Sequence, residues 1–140
     1  MNAAATITEA QIADLIPRFY TRVRADDLLG PVFDSAIDDW PPHLRKLMDF
    51  WSSVMLTTGR YKGNPMLAHM KHLATLKPEM FDRWLALWAG TTAEHLPAPM
   101  AAQLQAKAER IAQSLKLALW FRLPPREADA AARTVASAVS

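Results

Sequence analysis

The chain has no cysteine, which excludes disulfides, iron–sulfur ligation and thiolate chemistry and fits a reducing compartment. It has no long hydrophobic run: no stretch approaches the roughly 18 consecutive apolar residues that would suggest a membrane helix. The opening residues, Met1 to Ala5, lack a basic flank followed by an apolar segment. A cytoplasmic protein with no membrane partner is the expectation. Charge of one sign is also missing, because sixteen Lys and Arg face fourteen Asp and Glu for a net +2. The bases are scattered, and no run would track a phosphate backbone, so nucleic acid is not an expected partner. Glycine is scarce, with four residues and no adjacent pair.

What remains is an ordinary globular composition, 51% hydrophobic and 21% charged over 140 residues. That length suits a single domain spanning 1–140, with its core at about residues 8–121 and an Ala-rich tail, residues 122–140, that reads as a loose helix or disordered. Period-two alternation is absent over any useful length, and nine of the ten prolines fall near proposed boundaries. The class is all-α. Thr8 to Gln11 reads as a capping box. Behind it Ile12, Leu15, Ile16, Phe19, Tyr20 and Val23 follow a helical stripe, within which Pro17 is expected to kink or divide the helix. Gly30-Pro31 starts a short turn, and Pro41-Pro42 opens a longer helix expected to stop at Gly59. A short helix from Met66 to about Leu73 carries His69. Helices from Pro78 towards Pro97, and from Met100 to Phe121, complete the set.

An aromatic stripe on a helix is ordinarily core, so Phe33 or Trp51 alone carries no functional weight. Tyr20, His43, His69 and Trp84 differ, because each brings a polar atom to an inner face where a group without a partner costs about 1–3 kcal/mol. They could pair with one another or with backbone carbonyls, or they could share a ligand. Neutral imidazole is a good iron ligand, and on a short helix His69 can reach a metal with one ring nitrogen while the other donates to the carbonyl of Pro65. His72, three residues on, would share that face, which opens a zinc site as an alternative. Zinc needs a third ligand, and no suitable spacing supplies one. His72 and His95 otherwise read as solvated.

Several segments, in this order, carry a resemblance: Phe19-Tyr20; Asp26 with Leu29 to Phe33; Trp40-Pro41-Pro42-His43; Phe50-Trp51; Tyr61-Lys62-Gly63-Asn64-Pro65 with His69; and Phe81 to Leu85. Together they resemble the group III truncated haemoglobins over about residues 12–121. That group also lacks the glycine pairs of other truncated globins. The resemblance implies a truncated globin fold, a two-over-two helical sandwich around haem b. It makes His69 the proximal iron ligand, with His72 the alternative, and Tyr20, His43 and Trp84 the distal polar residues. Phe33 would pack on the haem face, Leu47 and Trp51 would line the distal helix, and Phe81 would stand among the cofactor-binding residues. No family counterpart is found for the tail after Phe121.

The function implied is binding of O2 and other diatomic ligands, NO and CO among them, with tight O2 binding and slow release. Such a pocket suits nitric oxide dioxygenation or peroxide detoxification better than oxygen transport, and it would need a reductase as electron donor. His43 would be a gate to solvent or a third polar partner, and Arg45 and Lys46 could reach haem propionates. The chain is expected to be a monomer or weak dimer. The rival reading from another class is a haem-free helical interaction module whose aromatics are plain core. A haem-based sensor is disfavoured because a second domain to receive its signal is not found.

Overall fold

A computed structural model describes residues 6–120, which form six helices: α1 (Glu9–Ala25), α2 (Gly30–Ala36), α3 (Trp40–Leu56), α4 (Pro65–Met70), α5 (Pro78–His95) and α6 (Ala98–Trp120). No strand occurs among the described residues. The alanine-rich stretch after Phe121 lies outside them.

α1 begins with the expected capping box. Thr8 Oγ1 accepts from the Gln11 amide at 3.1 Å, and Gln11 Oε1 accepts from the Thr8 amide at 2.9 Å. The six residues of its apolar stripe, from Ile12 to Val23, are all buried. Pro17 does not divide the helix. Its missing N–H forfeits only the bond to the Ala13 carbonyl, and burial of Ile16, Phe19 and Tyr20 on either side outweighs that loss.

The turn out of α1 is built by Asp26, whose Oδ2 accepts from the amides of Leu28 at 3.1 Å and Leu29 at 3.0 Å. α2 then starts hard against the end of α1. A Cβ on Gly30 would lie 2.5 Å from the Arg24 carbonyl oxygen, so only glycine fits there. α3 opens with two prolines in its first turn, as expected, but it stops earlier than Gly59. Thr57 adopts the left-handed conformation (φ 55°), and Gly59 (φ 69°) follows outside the helix.

α1 packs against α3 and α5, and α5 packs along α6 after the short Leu96-Pro97 turn. This is the two-over-two helical sandwich. Its centre is aromatic: Trp51 of α3 stacks on Trp88 of α5 with centroids 4.5 Å apart, and Trp88 stacks in turn on Trp84 at 5.7 Å. Phe19 of α1 meets the edge of Trp88 at 4.8 Å. The Trp88 indole donates to the Leu104 carbonyl at 3.2 Å, which ties α5 to α6. Among the described residues no buried side-chain polar atom lacks a hydrogen-bond partner.

Candidate functional site: an aromatic cavity with one tethered histidine

A cavity of about 320 Å³ opens between α1, α2, α3, α4, α5 and α6. Its size falls at the lower end of ligand pockets, roughly 300–1,000 Å³. Every site residue expected from the sequence lines it: Tyr20 from α1, Phe33 from α2, His43, Leu47 and Trp51 from α3, His69 from α4, and Phe81 and Trp84 from α5. The helical stripes explain the convergence, because each helix turns one face inward and these residues fall on those faces.

His69 sits in the last turn of α4. Asn64 caps that helix by accepting from the Leu67 amide at 3.2 Å, and Pro65 fills the first helical position. His69 Nδ1 lies 2.6 Å from the Pro65 carbonyl oxygen. A carbonyl only accepts, so Nδ1 carries the hydrogen, and the lone pair of the neutral ring resides on Nε2. Burial lowers the His69 pKa; the Pro65 hydrogen bond opposes this, and neighbouring His72 adds to it. The Phe81 ring lies 5.7 Å from the imidazole, tilted by 37°.

Tyr20 is 4% exposed and sits among Phe19, Phe33 and Trp40. Burial pushes its pKa up to about 12, against a smaller lowering by Trp84. The Trp84 indole N–H is directed at Tyr20 Oη, 3.4 Å away, so the two residues form a pair rather than independent donors. The tyrosine keeps its own proton free to give.

His43 is half-buried, with the edge of Trp40 at 5.6 Å. Burial, and then the charge of Lys46, hold its pKa below the ordinary imidazole value. It lines both the main cavity and an adjoining groove of about 200 Å³ bordered by Asp38, Asp39 and Lys46. Lys46 reaches the wall of the main cavity, whereas Arg45 is exposed and does not line it.

His72 is exposed, yet it stands at the cavity rim, while His95 is exposed at the far end of α5. Among the described residues no three His, Asp or Glu side chains converge, so a protein-only zinc site at His69 and His72 has no third ligand.

The structure adds wall residues that carried no assigned role in the sequence. Tyr61 is brought in by the loop after α3, where its amide donates to Ser53 Oγ at 2.9 Å and its ring meets the edge of Phe50 at 5.3 Å. Ile111, Ala112 and Leu115 of α6 close the floor. The helical stripe of α6 marks Ile111 and Leu115 as inward, but nothing in it tells a cavity wall from a core.

No family model matches the chain. A curated relative, the group 3 truncated hemoglobin ctb of Campylobacter jejuni, is 38% identical over 87 residues, which is 59% of this chain and 68% of the relative. The crystal structure of a group III truncated hemoglobin from Campylobacter jejuni superposes with a TM-score of 0.74 at 33% identity, covering 82% of this chain and 93% of that one.

Proposed function

The chain belongs to the group III truncated haemoglobins, and on that premise we propose that it is a haem b protein in which His69 would hold the iron and Tyr20, backed by Trp84, would be the hydrogen-bond donor to a small ligand. Family membership itself implies ligand binding at a haem. The observation that carries the finer reading is the 2.6 Å bond from His69 Nδ1 to the Pro65 carbonyl. It fixes the ring and leaves Nε2 as the one nitrogen able to ligate.

The residues fit such a group. The cavity wall is largely apolar, Phe33 and Phe81 offer flat faces, and Lys46 supplies a cation at the wall for an acidic substituent. Bound there, the haem supplies an iron centre that takes a diatomic molecule such as O2, NO or CO.

Tyr20 holds its proton at Oη, because ionising the phenol in this apolar setting is costly. Trp84 donates to a lone pair of the same oxygen and so turns the tyrosine proton away from itself. A ligand that gathers negative charge gains from that proton, whereas CO, which gathers little, gains less. His43, its pKa lowered by burial and then by the charge of Lys46, lines both cavity and groove and so stands where a small molecule moving between them would meet it.

Such a donor favours retention of O2 and suits its consumption more than its delivery. Oxidation of nitric oxide fits this pattern, NO + O2 + e⁻ → NO3⁻, and its electron requires a reductase. An absorption spectrum of the purified protein, ferric and then reduced with and without CO, tests the reading. A Soret band that shifts on reduction and again with CO is expected. A stably folded protein with no such band would instead be a haem-free helical module.

A further inference from the structure

We propose that the outer face of α4 and the turn behind it docks an acidic one-electron donor protein of the flavodoxin class, which supplies the cavity with electrons. This rests on the haem reading above and names the partner that reading requires.

The backbone from Pro65 to Leu73 has two faces. Pro65, Ala68, His69 and His72 line the cavity. Leu67, Met70 and Leu73 do not, and they are 54%, 48% and 39% exposed. With Leu28 they are the only large hydrophobic side chains that exposed among the described residues. Backbone bonds from the His72 amide to the His69 carbonyl (3.0 Å) and from the Leu73 amide to the Met70 carbonyl (3.2 Å) tighten the end of the segment, beyond the α-helical turn, to three residues per turn. Leu67 and Met70, three apart on α4, are neighbours on its outer face, and the tighter winding that follows places Leu73 over Met70, so the three form one apolar strip.

Charge decides what fits the strip. Between Arg60 and Lys77 the chain has four cationic residues and neither Asp nor Glu, so all fourteen acids lie elsewhere. Arg60 is held by Glu9 at 3.0 Å. Lys62, Lys71 and Lys77 are exposed and make no ion pair among the described residues. A small apolar centre flanked by unpaired cations suits a brief encounter with an acidic surface, in which charge steers the approach and the apolar contact sets the register. A partner seated there lies against the backbone that carries His69, next to His72 at the cavity rim. In the transfer, an anionic flavin hydroquinone would lose one electron to become the neutral semiquinone and a ferric haem iron would gain it, with no bond made or broken.

The test uses the haem-loaded protein and a purified bacterial flavodoxin as probe, with both the dissociation constant and the bimolecular reduction rate measured. Binding is expected to weaken as salt rises. Lys71→Glu/Lys77→Glu should weaken binding and slow reduction by flavodoxin about tenfold or more. Its Soret band and its reduction by dithionite should be unchanged. Leu67→Glu should also weaken binding, while the equal charge reversal Arg18→Glu/Arg110→Glu on α1 and α6 should stay near wild type. Equal losses from both charge-reversal pairs, or none from either, would overturn the assignment. So would a dimer dissolved by Leu67→Glu, or sedimentation with phosphatidylglycerol vesicles without flavodoxin binding. Failure of the haem reading shows separately, as a missing Soret band before any partner is added.

Discussion

The indole N–H of Trp84 points at the hydroxyl oxygen of Tyr20 from 3.4 Å, although the two residues are 64 positions apart and on different helices. On the proposed reading the donor to a bound ligand is this pair, in which the tryptophan turns the tyrosine proton away from itself. That geometry makes Tyr20 the residue whose loss is felt first.

Tyr20→Phe keeps the ring and removes the proton. A hydrogen bond to a charged acceptor is worth about 1.5–3 kcal/mol, and about 1.4 kcal/mol corresponds to tenfold, so O2 should leave about ten- to hundredfold faster. CO release should change much less. Stopped-flow displacement of O2 measures this, and an unaltered off-rate would remove Tyr20 from ligand stabilisation.

His69→Gly deletes the ring that the Pro65 carbonyl orients. The variant should purify without haem, or hold it only with added imidazole, which can occupy the space the side chain leaves. Absorption spectra with and without imidazole decide the matter. A normal reduced spectrum without imidazole would move the ligand to His72.

Asp26 gives a pH dependence of stability. Its Oδ1 accepts from Arg83 at 2.7 Å, its Oδ2 takes two backbone amides, and its side chain is only 5% exposed. The Arg83 hydrogen bond is the main reason its pKa is held below the usual carboxylate value, with burial opposing. A lowered native pKa means the folded state binds the proton less readily than the unfolded chain. The stabilisation is therefore fully present above the ordinary Asp value, about 3.9, and is lost as pH falls through the lower native one. Asp26→Asn should be less stable than wild type near neutrality and should lose less on acidification, as followed by urea denaturation across that range. Parallel acid limbs for the two proteins would place the acid sensitivity elsewhere.

Much of this architecture was legible in the sequence because helix signals are local. The capping box at Thr8, the prolines opening α3 and α5 and the inward stripe of α1 all follow from spacing within one or two turns. One local reading was narrowed, since Pro17 does not divide α1, and one needed correction, both for physical reasons. Pro17 costs one backbone bond, which the buried residues around it outweigh. The end of α3 places Thr57 in the left-handed conformation that glycine usually takes, and its amide still donates to the Ser53 carbonyl at 3.0 Å. The glycine signal at Gly59 belongs to the loop beyond.

The site residues were legible as an ordered set, not from any one position. Their pairings were not. The contact between Trp84 and Tyr20, the Tyr61 ring folded in by Ser53, and the α6 floor of the cavity depend on how distant helices meet. Spacing along a single helix carries no record of such meetings.

The stacked tryptophans of the core also give the protein a built-in optical reporter. Trp51 lies 4.5 Å from Trp88, Trp88 lies 5.7 Å from Trp84, and the two outer rings of this column border the cavity. Excitation of any one can pass along the column, so intrinsic fluorescence and near-ultraviolet circular dichroism register both the integrity of the fold and whatever fills the space beside it.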